Sequence, residues 1–113
     1  YVYNFYLVCY IMGNLFFDQY TYLHFAVGII VYFWNASLFN WFILHTIFET
    51  LENTQIGIHI INKYIVFWPG GKPKPDSIVN IIGDTFGAMF GWLSAYYLDQ
   101  LGNSYGWYTL HIK

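Results

Sequence analysis

His45, Glu49, Glu52 and Asn53 stand at offsets of four, three and one residues in the otherwise apolar run LFNWFILHTIFETLENT, residues 38 to 54. On a helix those offsets make them neighbours on one side. A second polar stripe lies in DSIVNIIGDTFGAMFGWLSAYYLD. At about 100° per residue, Asp76, Ser77, Asn80 and Asp84 share a sector with Gly83, Gly87, Gly91, Ser94 and Ala95. His24 supplies a further imidazole upstream. Imidazoles and carboxylates on facing helices can hold a divalent ion, act as acid and base, or line a proton path. The candidate catalytic residues are therefore His24, His45, Glu49, Glu52 and Asp84, with Asn53, Asp76, Ser77 and Asn80 in the surrounding polar network. The bland alternative is a cross-helix hydrogen-bond network in which some carboxyls keep a proton. Neither the His-Glu-x-x-His zinc helix nor a paired Glu-x-x-His is present, so the sequence requires no metal or cofactor.

The elements that position these residues belong to a membrane. The 113 residues are 58% hydrophobic, 25% aromatic and 9% charged, against roughly 25% charged in soluble domains. Carboxylates at a helix centre cost roughly 2.5 to 3.5 kcal/mol on insertion, so Glu49, Glu52 and Asp84 are expected to face protein. Ile78, Val79, Ile81, Ile82, Phe86, Met89, Phe90, Trp92, Leu93 and Tyr96 cover the other side of their helix and suit lipid or apolar helices. Gly83, Gly87 and Gly91 form a small-xxx-small ridge that admits another backbone. Its expected partner is the Glu49 helix, bringing Glu49 or Glu52 to Asn80 or Asp84.

The expected fold is all-α, a polytopic membrane bundle of three to four helices in a single domain spanning 1-113. Possible spans are about 2-17, 20-36, 38-54 and 76-99. Residues 55 to 68 fit no single period. Pro69-Gly70-Gly71-Lys72-Pro73-Lys74-Pro75 ends any helix and forms the loop 69-75. Gly102 to Gly106 is expected to stop the last helix. Lys63, Lys72 and Lys74 precede that helix and place its start on the cytoplasmic side or its equivalent. Lys72 and Lys74 are too few for a specific lipid site. His59 and His111 read as interfacial. The lone Cys9 gives no disulfide framework.

The run His45 to Thr54, followed by Asp76 to Thr85 and preceded by Tyr20-Thr21-x-x-His24, resembles an uncharacterised family of small polytopic bacterial inner-membrane proteins, distantly VanZ-like. The matching positions are Glu49, Glu52, Asn53, Asp76, Ser77, Ile78, Val79, Asn80, Asp84 and Thr85. The likeness runs from about residue 18 to about residue 100. It departs at His45, where that family tends to carry an acid, and in the basic, proline-rich loop. The resemblance implies a multi-span membrane fold and supplies no activity.

Four lysines, no arginine and a net charge of -2 exclude nucleic acid as a partner. The expected partners are the lipid bilayer and other membrane subunits. Two functional classes follow. One is a structural or accessory subunit of a larger membrane assembly, an organellar complex or a virion membrane layer. The other is a small intramembrane enzyme or transporter using the His/Glu/Asp site.

Overall fold

The computed structural model describes residues 13–108; the first part of the expected span 2–17, with Cys9, lies outside them, as does His111. Residues 13–17 are turns and bends. Four helices follow: α1 (Gln19–Phe33), α2 (Leu38–Glu52), α3 (Gln55–Tyr64) and α4 (Ile78–Tyr105). No strand occurs among the described residues.

Each helix starts where a side-chain oxygen satisfies an otherwise unpaired amide. Asp18 accepts from the Tyr20 and Thr21 amides, and the Thr21 hydroxyl accepts from the Asp18 amide, closing a capping box. Ser37, Thr54 and Ser77 accept from Asn40, Gly57 and Asn80 in the same way. The region 55 to 68 thus resolves into the ten-residue α3 and a short tail. Gly102 does not stop α4. A Cβ there would run into the Tyr108 ring, so this glycine makes room for the returning chain. The stop is Gly106, whose φ of 65° is left-handed.

The contacts fix the helix directions. Along α4, Gly83 lies against the Phe16 carbonyl, Gly87 against Thr21 and Gly91 against the Phe25 carbonyl. Both sequences ascend together, so α1 runs parallel to α4. The ridge therefore packs on α1, and its expected pairing with the Glu49 helix is incorrect. From α1, Gly28 completes the close approach against the Ala88 carbonyl. On the other flank Trp41 Nε1 donates to the Ala88 carbonyl at 3.0 Å, and His45 meets Thr85. Here the numbers run oppositely, so α2 is antiparallel to α4.

The interior is inverted relative to a water-soluble protein. Glycines aside, the buried residues number five hydrophobic and nine polar or charged among those described. His45, Glu49, Asn80 and Asp84 are at most 2% exposed, whereas Phe86, Phe90 and Ile78 are more than 60% exposed. A small apolar cluster of Val31, Trp41 and Ala88 sits towards the α1–α2 turn, with Met89 and Trp92 packed against it. Of the two surroundings those residues suit, lipid or apolar helices, they meet the second and seat the hairpin; Trp92 Nε1 donates to the Ala36 carbonyl at 2.9 Å. Of the four helices, only α4 is long and apolar enough to cross a membrane by itself.

Candidate functional site

The site forms where α1, α2 and α4 meet, toward the end closed by the 69–75 loop. His24 comes from α1, His45 and Glu49 from α2, and Asp84 from α4. His24 stands between the two carboxylates: its Nε2 is 3.4 Å from Glu49 Oε1 and 3.3 Å from Asp84 Oδ2. His45 Nε2 is 3.7 Å from the same Glu49 oxygen. The two imidazole rings meet edge to face, with centroids 5.1 Å apart.

Both carboxylates are held by one oxygen and turned inward by the other. Thr21 Oγ1 donates to Asp84 Oδ1 at 2.7 Å, leaving Oδ2 toward His24. Asn53 Nδ2 donates to Glu49 Oε2 at 3.2 Å, and Glu49 Oε1 has no hydrogen-bond partner although buried. His45 Nδ1 is likewise buried without a partner. Buried polar atoms are normally satisfied, so two such atoms in one cluster mark it out. A cavity of about 20 Å³, room for about one water molecule, adjoins His24, Asp84, Glu52 and Lys72 and is walled by Trp68 and Gly70 of the loop.

Next to this cluster is Lys72, expected only to mark the cytoplasmic side of the 69–75 loop. Lys72 is 8% exposed. Its Nζ donates to Glu52 Oε1 at 3.1 Å, to Asn53 Oδ1 at 3.2 Å and to Asp76. Asn53 Oδ1 also accepts the Asp76 amide at 2.7 Å, so one side chain ties α2 to the start of α4. Asn62 of α3 clamps the Lys72 backbone from both sides, accepting its amide at 3.0 Å and donating to its carbonyl at 2.6 Å. Burial disfavours the Lys72 ammonium, but Glu52 and Asp76 outweigh it and hold its pKa above the ordinary lysine value.

Of the sequence candidates, His24, His45, Glu49 and Asp84 come together, while Glu52 and Asp76 belong to the Lys72 ion pairs. The expected meeting of Asn80 with Glu49 or Glu52 does not occur. The Asn80 amide donates to the Leu15 carbonyl at 2.6 Å and to Asp18 at 3.2 Å, anchoring the entry to α1. Ser77 caps α4, and its amide donates to the Gly13 carbonyl at 2.6 Å. Glu49 and Asp84 approach each other only through His24, not across the Gly83–Gly87 contact. Thr21, Asn62, Lys72 and Thr85 were missed as site supports. For Lys72 a signal existed: the polar helix faces carry four carboxylates and no lysine or arginine, so burying them calls for a cation from elsewhere.

At the far end of α4, Asp99 accepts from Tyr32 at 2.5 Å and from Tyr108 at 2.7 Å. The hydrogen bond to Asp99 raises the Tyr108 pKa above the usual phenol value.

No protein-family model matches the chain, and neither the curated proteins nor the solved structures compared with it contain a match.

Proposed function

We propose that the protein crosses a bilayer with α1, α2 and α4 and uses the His24–His45–Glu49–Asp84 cluster as an intramembrane reaction site reached from the lysine-bearing interface. The membrane reading is supported by the inverted interior: only 39% of the apolar window of α4 is buried, where the core helix of a soluble protein is mostly covered. The distance fits as well. Asn80 lies at the level of the α1 entry and Asp99 at the level of Tyr32, and 19 steps of about 1.5 Å give about 28 Å, close to the hydrocarbon thickness of roughly 30 Å. The α1–α2 hairpin thus reaches across although its 15-residue helices are each below span length. The amphipathic α3, with exposed Ile56 and Ile60, suits the interface on the Lys63 and Lys74 side.

The observation that carries a reaction site over a passive network is the buried Glu49 Oε1, which accepts no hydrogen bond and stands 3.4 and 3.7 Å from two imidazole nitrogens, one of them on His24, which lines the water-sized cavity. A network serving only to glue helices together gains nothing from such an atom.

Topology is tested with single cysteines in a Cys9→Ser background, labelled by an impermeant maleimide in sealed vesicles. Lys74→Cys is expected to label from one side, and Trp34→Cys and Ser104→Cys only from the other. Labelling of all three from the same side would refute the spanning arrangement.

The site is tested with Glu49→Gln combined with Asp84→Asn, which keeps shape and the acceptors used by Asn53 and Thr21. The double variant is expected to stay folded and yet fail to replace the wild-type gene in the native cell. Full replacement by a folded double variant favours the second reading, an accessory subunit of a larger membrane assembly. That reading is supported by an outward aromatic groove of about 760 Å³ between α1 and α4, lined by Phe16, Phe17, Tyr22, Phe25, Phe86 and Phe90. Co-migration with a large complex in mild detergent is its expected result.

A further inference from the structure

Two clusters of potential metal ligands occur among the described residues, and they differ in one respect. Glu49, Glu52 and Asp76 bring three carboxylates together, but the Lys72 ammonium already supplies the cation there. His24, His45 and Glu49 are all buried and have ligand atoms within 4.8 Å of one another, and the ion pairs of Lys72 go to Glu52 and Asp76 and to none of these three.

The geometry points to a divalent transition-metal site at this second cluster, with His24 Nε2, His45 Nε2 and Glu49 Oε1 as ligands. Zinc–nitrogen and zinc–oxygen bonds of about 2.0–2.1 Å set tetrahedral ligand separations of about 3.3–3.4 Å. The separations of Glu49 Oε1 from the two imidazole nitrogens, 3.4 and 3.7 Å, are close to that edge length. Two imidazoles and one carboxylate leave a fourth position open, the pattern of a catalytic rather than a structural zinc site. Asp84 Oδ2, 3.3 Å from His24 Nε2, stands beside the site as an acceptor for a metal-bound water, and the adjoining cavity has room for one.

The surroundings of Glu49 and of His45 Nε2 fit the same assignment. Ligating carboxylates are usually fixed by a hydrogen bond to the oxygen that does not bind, which is what Asn53 does for Glu49. His45 Nε2 lies 3.2 Å from Thr85 Oγ1, but that hydroxyl also donates to the Ile81 carbonyl at 2.8 Å. A metal that takes the Nε2 lone pair leaves the Thr85 hydroxyl with this helix partner. It also gives Glu49 Oε1 the partner it otherwise lacks. Soft-metal selection is not built in, because no thiolate contributes; imidazole with carboxylate suits Zn²⁺, Fe²⁺ or Co²⁺.

This inference rests on the reaction-site reading, and its test is independent of topology and of cell phenotype. The full chain, freed of any histidine tag, is purified in mild detergent, stripped with chelator and titrated with Co²⁺. One equivalent is expected to bind, giving visible d–d bands of a four- or five-coordinate ion that Zn²⁺ abolishes. Glu49→Gln and His24→Gln are expected to weaken binding at least 100-fold, whereas His59→Gln, on the exposed side of α3, leaves it unchanged. Should a ligand variant unfold by circular dichroism, ¹⁵N-histidine spectra of the wild type decide: Zn²⁺ must move two imidazoles and spare His59. Absence of stoichiometric uptake by the folded wild type overturns the site. So does uptake that survives Glu49→Gln or that is lost with His59→Gln. If the cysteines label as expected and no metal binds, the metal assignment alone falls; if metal binds and labelling fails, the spanning arrangement falls instead.

Discussion

Lys72→Met is expected to cost the protein about 3–5 kcal/mol, enough to remove most of the folded material from a detergent extract. The size follows from what is left behind. Glu52 and Asp76 are brought together around one ammonium, and taking it away leaves two carboxylates close to each other and to Glu49 with no compensating charge. The same change frees little else, because the Lys72 backbone stays clamped by Asn62. Lys74→Met, one turn of loop away and exposed, is expected to change stability by no more than about 0.5 kcal/mol. Unfolding midpoints in a denaturing detergent compare the two; equal midpoints would show that the ion pairs contribute nothing.

The pH dependence has a definite sign. The folded-state pKa of Lys72 lies above its unfolded value, so its contribution is fully present below about pH 10.4 and is lost as pH climbs through the folded value. The stability gap between wild type and Lys72→Met should therefore be widest in mildly alkaline solution, narrow above about pH 10 as the ammonium is lost, and narrow toward acid as the carboxylates left in Lys72→Met take up protons. A gap that widens on going from pH 9 to pH 6 would assign the effect to another group.

The second large effect concerns the contact between α1 and α4. Gly91→Leu is expected to cost about 3 kcal/mol or more, at the upper end of overpacking, because the atom in the way is the Phe25 carbonyl of another helix and not a side chain that can rotate. Gly83→Leu meets the Phe16 carbonyl in the same manner. At Gly87 the Thr21 methyl and carbonyl stand farther from an added Cβ, at 2.8 and 3.0 Å, than do the carbonyls at Gly83 and Gly91, so Gly87→Ala should be milder than the same change at either of those glycines. Val79→Leu, on the exposed side of α4, serves as the control and should be silent. Because α1 carries His24 and Thr21, separating it from α4 also opens the gap between His24 and Asp84. Loss of Co²⁺ binding in Gly91→Leu should accordingly parallel its loss of folded yield. Comparable yields for Gly91→Leu and Val79→Leu would mean that the ridge is not a close helix contact.

The residues themselves determined a good deal. The stripes that bury His45, Glu49 and Glu52 on α2, and Asn80 and Asp84 on α4, follow from helical spacing, since a polar face 100° per residue in register must find polar company in an apolar chain. The helix starts at Asp18, Ser37 and Ser77 are local chemistry, settled within three residues by capping. What spacing cannot record is which element answers a given face. A glycine ridge states that some backbone comes close, and both α1 and α2 lie within reach of α4; the choice of α1 came from Phe16 and Phe25, whose carbonyls occupy the room the glycines leave. Lys72 was hidden for a related reason. It sits in a loop of prolines and glycines that looks solvated, and only the folded chain brings that loop over the end of the bundle, where a long flexible side chain reaches carboxylates four and twenty residues away in sequence. The meeting of His24 with Glu49 and Asp84 is likewise a product of three helices and not of any one of them, because no spacing along the chain encodes a distance between helices.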